Sequence, residues 1–227
     1  MRFLIIVLPI LALVFGPGIW VKRVLAKYSQ PDDRYSGTGA DLARKLLDIN
    51  NLQHVKVEKT KTGDHYDPND KAVRLTEGNF DGHSLTAITV AAHEVGHAIQ
   101  DKEAYKPMRV RSVLVRGVQK VEKVGAGILI LAPFMGLLTR APGLGVVMFI
   151  GGLLTLASST LVHMVTLPTE FDASFGRALP MLEKHQILIE SDLPHARKIL
   201  KAAAYTYVSA SLMSLLNIAR WIAILRR

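Results

Sequence analysis

The sequence contains no cysteine, which excludes disulfides and thiolate metal ligation and leaves the redox compartment unreadable. Acidic residues are scarce beside basic ones, 19 against 28, for a formal net charge of +9. An excess of that size can serve nucleic acid, but the Lys and Arg residues lie beside apolar runs and build no aromatic-interleaved patch. Nucleic acid is therefore not expected as a partner. No small-x-small cleavage pattern precedes the basic cluster Lys22, Arg23 and Lys27. The first apolar run thus reads as an uncleaved anchor whose C-terminal end faces the cytoplasm. A transporter would need acidic or polar residues in the middle of the apolar runs, and only His163 and Asn217 come near that.

The chain is 227 residues long, and its apolar half gathers in four runs, Phe3 to Val21, Val124 to Leu138, Leu144 to Val165 and Ala202 to Leu225. Buried helices of a globular core need only ten to fourteen such residues, whereas a bilayer-spanning helix takes about twenty. The expectation is a mainly α membrane protein, a multispan helical bundle carrying a small two-stranded β element, with the lipid bilayer as a partner. Its segments would be an anchor over 1–27, a helix-and-strand segment over 28–106, and a basic amphipathic lead-in with two spans over 107–166. A further helical segment over 167–201 and a C-terminal spanning or interfacial helix over 202–227 would follow.

Within 28–106, Thr38 with Asp41 three residues on has the form of a capping box and opens a helix to about Asn50. Polar and apolar residues alternate over 54–58 and over 72–76, as in half-buried strands. The second of these, just ahead of the next helix, is a candidate edge for an extended peptide to join by main-chain hydrogen bonds. Asp81 or Ser84 caps the helix that follows, which runs to about Gln100.

That helix carries His93-Glu94-Val95-Gly96-His97. Residues four apart share a helix face, so His93 and His97 can offer imidazole nitrogens to one metal ion. Glu94 then stands beside any water the metal holds, as in zinc hydrolases. Small and apolar neighbours at Ala91, Ala92, Val95, Ala98 and Ile99 suit a packed, rigid helix. A third donor is needed, and two spans lie between His97 and residue 167, which returns the chain to the same side. There stands Leu167-Pro168-Thr169-Glu170-Phe171-Asp172-Ala173-Ser174. With Pro168 or Thr169 starting a helix, Glu170 is either a third ligand or an ordinary first-turn acid stabilised by the helix dipole. Arg177, on the same face, is either a group for an anionic transition state or a solvated surface charge.

The sequence resembles the YugP-type neutral zinc metallopeptidases, bacterial membrane proteases of the gluzincin group, and more distantly the HtpX and CAAX prenyl-protease families. The likeness rests on Ser36-Gly-Thr-Gly-Ala40, Asp64-His-Tyr-Asp-Pro68, Val73-Arg-Leu75, Val90 to Gln100 and Leu167 to Ser174. It implies a zincin-like helix and one zinc ion held by His93, His97 and Glu170, with Glu94 as general base. It also implies protein or peptide substrates and an active site at the cytoplasmic face of a bacterial membrane. The distant relatives carry Glu-x-x-Ala-Asp, whose final Asp supports a zinc-bound His. Here Ser174 holds that position, and Asp172 or a backbone carbonyl is a candidate replacement.

The activity expected is hydrolysis of internal peptide bonds by an activated water, with Glu94 taking the proton and passing it to the leaving amine. His65, Tyr66, Tyr105, His163, His185 and Arg177 are candidate donors to the carbonyl oxygen. The competing expectation is a membrane zinc-binding scaffold without turnover. It has no use for Glu94, and it would want four ligands where three are visible.

Overall fold

A computed structural model describes residues 2–138, 142–206 and 208–209 of the chain. In chain order the elements are α1 (Arg2–Tyr28), α2 (Gly39–Ile49), β1 (Lys56–Thr60), β2 (His65–Asp67), β3 (Ala72–Thr76) and the short α3 (Glu77–Phe80). After these come α4 (Leu85–Lys102), α5 (Lys106–Leu138), α6 (Pro142–Phe171), a π-helical segment (Asp172–Ala178) and α7 (Leu179–Lys184). A 3-10 turn (Glu190–Asp192) leads into a last helix, α8, over residues 193–206. Two compact units emerge. One comprises the described residues within Met1–Gly18, Val110–Thr166 and Tyr207–Arg227, and the other comprises Ile19–Arg109 with Leu167–Thr206.

The second unit is built around α4. Every residue from Leu85 to Gln100 is buried, so this helix has no solvated face and is enclosed by its neighbours. Ser84 starts it, its hydroxyl accepting from the Ala87 N–H, and this satisfies one of the orphan donors of the first turn. Against it pack α2, through an apolar stripe of Leu42, Ala43, Leu46 and Leu47, and the sheet, through Val73 and Leu75. The capping box that opens α2 is present as read, with Thr38 and Asp41 each bonding the other's backbone N–H.

The β element has three strands in the order β1-β3-β2, with β1 parallel and β2 antiparallel to β3. This corrects the two-stranded expectation, because β2 is only three residues long and too short to show an alternation. It also corrects the edge-strand expectation. Strand β3 lies in the middle, paired with β1 along its whole length and with β2 over Ala72–Arg74, so it is not an edge strand.

The multispan bundle is overturned as well: among the described residues, no helix is long and apolar enough to cross a membrane. A run length counts apolar residues without asking which are already spent on packing. Val21, Val24 and Tyr28 at the end of α1 belong to the core of the second unit, as do Ala202 at the head of the last run and Met108 in the lead-in. Basic residues also stand in the same continuous helices as the apolar runs, Lys22, Arg23 and Lys27 in α1 and Lys106, Arg109 and Arg111 in α5. Arg140, and residues 207 and 210–225 of the last run with Asn217 among them, lie outside the described residues, as does the side chain of His163.

Two further features bring the second half of the chain to α4. Helix α6 does not begin at Pro168 as expected but runs through it to Phe171. Glu170 is therefore not a first-turn acid, and the helix-dipole reading of it falls. The chain then widens into seven residues of π-helix, a rare form found frequently at functional sites. At the closest approach of this segment to α4, a Cβ on Gly96 would lie 2.7 Å from the carbonyl oxygen of Ala173. Only a glycine fits there. Helix α8 is fixed from the other side by buried Asp192, which accepts from the Arg34 guanidinium and the Tyr35 hydroxyl, each at 2.5 Å.

Gly96→Ala should force α4 and the π-helical segment apart. Overpacking of this kind costs about 1–3 kcal/mol, and thermal unfolding of the variant against wild type reads it. An unchanged midpoint would show that the contact at Ala173 has slack.

Candidate metal centre

The two histidines of α4 are one helical turn apart and point the same way. Their ring centroids are 4.7 Å apart and the rings stand at 80° to each other. The third group arrives from the end of α6. Glu170 Oε2 lies 3.3 Å from His93 Nε2 and 3.3 Å from His97 Nε2. One potential ligand atom from each of the three lies within 4.8 Å of the others. All three side chains are buried, Glu170 to 1% exposure.

Burial pushes the Glu170 carboxyl up, but the charge of His97 and hydrogen bonds from both imidazoles outweigh it and hold the group well below the usual carboxylate range. A carboxylate taken this far from water needs compensation of that kind. Two imidazole nitrogens and one carboxylate oxygen form the donor set that catalytic zinc uses, which leaves a fourth tetrahedral position for water or substrate. By donor chemistry and spacing the three residues fit a zinc ion. Glu94, next to His93 in the chain, is also buried at 5% exposure on the same helix.

Behind each imidazole stands a hydrogen-bond partner. Ser174 Oγ lies 3.1 Å from His93 Nδ1, and the same hydroxyl donates to the Leu200 carbonyl of α8 at 3.2 Å. Gln100 Oε1 lies 2.9 Å from His97 Nδ1. The amide nitrogen of Gln100 donates to the Thr169 carbonyl at 2.8 Å and to Asp172 Oδ2 at 2.7 Å. Asp172 also accepts from Arg177 Nε at 2.7 Å, and Arg177 Nη1 reaches Glu103 at 2.7 Å.

The structure thus brings His93, His97 and Glu170 together, and it sets Ser174 against His93 where the distant families carry an Asp. Asp172 meets Gln100 instead of an imidazole. Arg177 is not a solvated charge, since it is 13% exposed, paired with two carboxylates and laid over the Tyr105 ring at 5.6 Å. The Tyr105 phenol is pushed up by burial and then by the charge of Asp172. The Tyr66 hydroxyl donates to Asp101, His65 Nδ1 is 2.8 Å from the Gly63 carbonyl, and His185 is the C-cap of α7. Gln100 is the residue that sequence reasoning passed over. Its signal was an amide three positions after His97, on the same face of a helix that is otherwise small and apolar.

Comparison with known proteins points to the zinc peptidases. A family described as "Putative neutral zinc metallopeptidase" matches residues 3–226. A relative from Bacillus subtilis (strain 168), named "Putative membrane protease YugP", is 36% identical over 226 residues, covering 99% of this chain and 96% of its own length. No solved structure gives a significant match. With nearly every residue inside the family match, and a helix and a buried glutamate that supply two nitrogens and one oxygen to one point, the chain belongs to the neutral zinc metallopeptidase family.

Proposed function

We propose that this protein is a membrane-bound zinc endopeptidase that hydrolyses peptide bonds of protein or peptide substrates. The observation that carries the proposal is the convergence of His93, His97 and Glu170 on one point, with the buried carboxylate of Glu94 on the same helix. In this reading His93 and His97 give their Nε2 atoms and Glu170 one oxygen to hold a single zinc ion. When bound, zinc supplies Lewis acidity, which brings the pKa of a water in its open position toward about 7 and polarises a substrate carbonyl.

The rest falls to the chain. Glu94 takes the proton of the attacking water as the new C–O bond forms, then delivers that proton to the amine as the C–N bond breaks. The buried, solvent-poor surroundings of the site strengthen each of these electrostatic contacts. An inert scaffold remains the competing reading, and Glu94 decides between them, because a site without turnover needs no base.

Two observations support a place at a membrane. Large apolar side chains of α5 and α6 stand free of the core, among them Val113, Val124, Phe134, Val147 and Leu154, each more than 60% exposed. Apolar surface of this sort marks a lipid or protein contact. Basic residues at the head of α5, Lys106, Arg109 and Arg111, suit the anionic lipid of a cytoplasmic leaflet, and on that ground we assign the protein to the cytoplasmic face of a bacterial membrane.

Glu94→Gln should keep zinc and lower peptide cleavage by about 10²–10⁴-fold, the usual worth of a general base, whereas Glu170→Ala should lose zinc. Metal content and cleavage of a quenched peptide, measured on the same preparations, check both. Full activity in Glu94→Gln would remove the base, and unchanged zinc in Glu170→Ala would remove the third ligand. Flotation with vesicles that contain anionic lipid checks the membrane assignment, with the protein expected in the lipid fraction and its recovery at the bottom of the gradient contradicting it.

A further inference from the structure

The hydrogen bonds behind the two imidazoles can be followed outward until each ends on a group whose role is not adjustable. The Thr169 carbonyl has no hydrogen and can only accept. Gln100 must therefore turn its NH2 end toward Thr169, at 2.8 Å, and toward Asp172, at 2.7 Å. Its oxygen is left facing His97 Nδ1 at 2.9 Å, and an amide oxygen can only accept. His97 Nδ1 consequently carries the hydrogen, and in the neutral ring that binds a metal Nε2 is the nitrogen with the lone pair. The same argument runs through Ser174. Its hydroxyl spends its hydrogen on the Leu200 carbonyl, so its oxygen accepts from His93 Nδ1. Two backbone carbonyls thereby set the tautomers of both histidines, and both Nε2 atoms are turned to the side where Glu170 stands.

Gln100 does more than set a tautomer. It is completely buried, and its amide joins the ring of His97 on α4 to the backbone of Thr169, the residue just before Glu170. The second hydrogen of the same NH2 group reaches Asp172, just beyond Glu170, and Asp172 is held in turn by Arg177, which also pairs with Glu103. One side chain thus spans the two elements that bring nitrogen and oxygen to the centre, and it grips the Glu170 segment on both flanks.

We propose that Gln100 is the positioning residue of the metal centre. It fixes His97 as the Nδ1–H tautomer and holds the Glu170 segment in register with it, so that the three donor atoms are preorganised for zinc. The proposal rests on the metal-site reading above and adds to it the residue that sets the geometry. Outer-sphere partners of metal-bound histidines are typically worth 10–100-fold in metal affinity. A single amide that serves one ligand directly and another through its flanking backbone belongs in that range.

The isosteric change Gln100→Glu separates the two roles. An acceptor for His97 remains, but the other oxygen meets the Thr169 carbonyl and the Asp172 carboxylate, lone pair against lone pair. Zinc affinity of the full-length chain, measured by competition with a chelator, should fall by about 10–100-fold. The double variant Gln100→Glu/Asp172→Asn exchanges carboxylate and amide across the contact and should recover part of that loss, the Thr169 carbonyl still facing an oxygen. A merely structural role would show no such rescue. Wild-type affinity in Gln100→Glu, or a double variant that binds no better than the single one, would overturn the proposal.

Should the single variant fail to fold, nitrogen correlation spectra of ¹⁵N-histidine-labelled, zinc-loaded wild type decide the question. His97 is expected to carry hydrogen on Nδ1 and metal on Nε2, and the reverse would overturn the assignment. Absence of zinc binding in wild type would remove the metal-site reading itself and this proposal with it. Normal zinc binding in wild type with an indifferent Gln100→Glu would remove only the role of Gln100.

Discussion

Burying the carboxylate of Glu170 sets the terms for everything around it. An ionised carboxylate stripped of water is tolerated only where opposite charge or hydrogen bonds replace the lost hydration. Here the replacement is two imidazoles at 3.3 Å, and they have to be on one face of a rigid helix to be in place at once. Helix α4 therefore has to be enclosed, and enclosure requires that the segment carrying Glu170 approach it closely. That approach runs over Gly96, where any side chain would collide with the Ala173 backbone. The glycine between the two histidines and the π-helical widening after Glu170 are thus parts of one packing solution.

The same constraint accounts for the polar residues in an otherwise apolar interior. Gln100 and Ser174 are fully buried, and a buried amide or hydroxyl without partners is destabilising. Each is satisfied at both ends, by an imidazole on one side and a backbone carbonyl on the other. Neither brings a charge, so the two histidines are oriented by neutral acceptors. The ionised groups Asp172, Arg177 and Glu103 stand one step further out, where they brace the amide. Both imidazoles of the candidate site are thereby oriented through groups that end on backbone carbonyls.

Much of this was legible before any coordinates. The four-residue spacing of His93 and His97 and the capping box at Thr38 follow from local rules that a helix obeys wherever it is, whereas Glu170 as third ligand rested on two expected spans that the described residues do not bear out and on the family resemblance. What escaped were features that depend on distant partners. Strand β2 is three residues long and exists because β3 offers it a pairing edge, which no alternation in His65–Asp67 announces. The continuation of α6 through Pro168 is a tertiary override of a residue that by itself suggests a helix start. The apolar runs misled for a related reason. Their lengths were counted as if every residue faced lipid, whereas Val21 at the end of the first run and Ala202 at the head of the last are spent on the core beside α4. Gln100 was overlooked because an amide near a helix end has no distinctive pattern until its partners at Thr169 and Asp172 are in place.

The central claim is that three side chains from two elements distant in sequence hold one zinc ion at a single point. Anomalous diffraction from crystals of the zinc-loaded protein, recorded at the zinc absorption edge, tests it most directly. The account predicts one strong peak at about 2.0–2.2 Å from His93 Nε2, His97 Nε2 and an oxygen of Glu170. A peak elsewhere, or one bound by the histidines through Nδ1 or lacking Glu170, would contradict it.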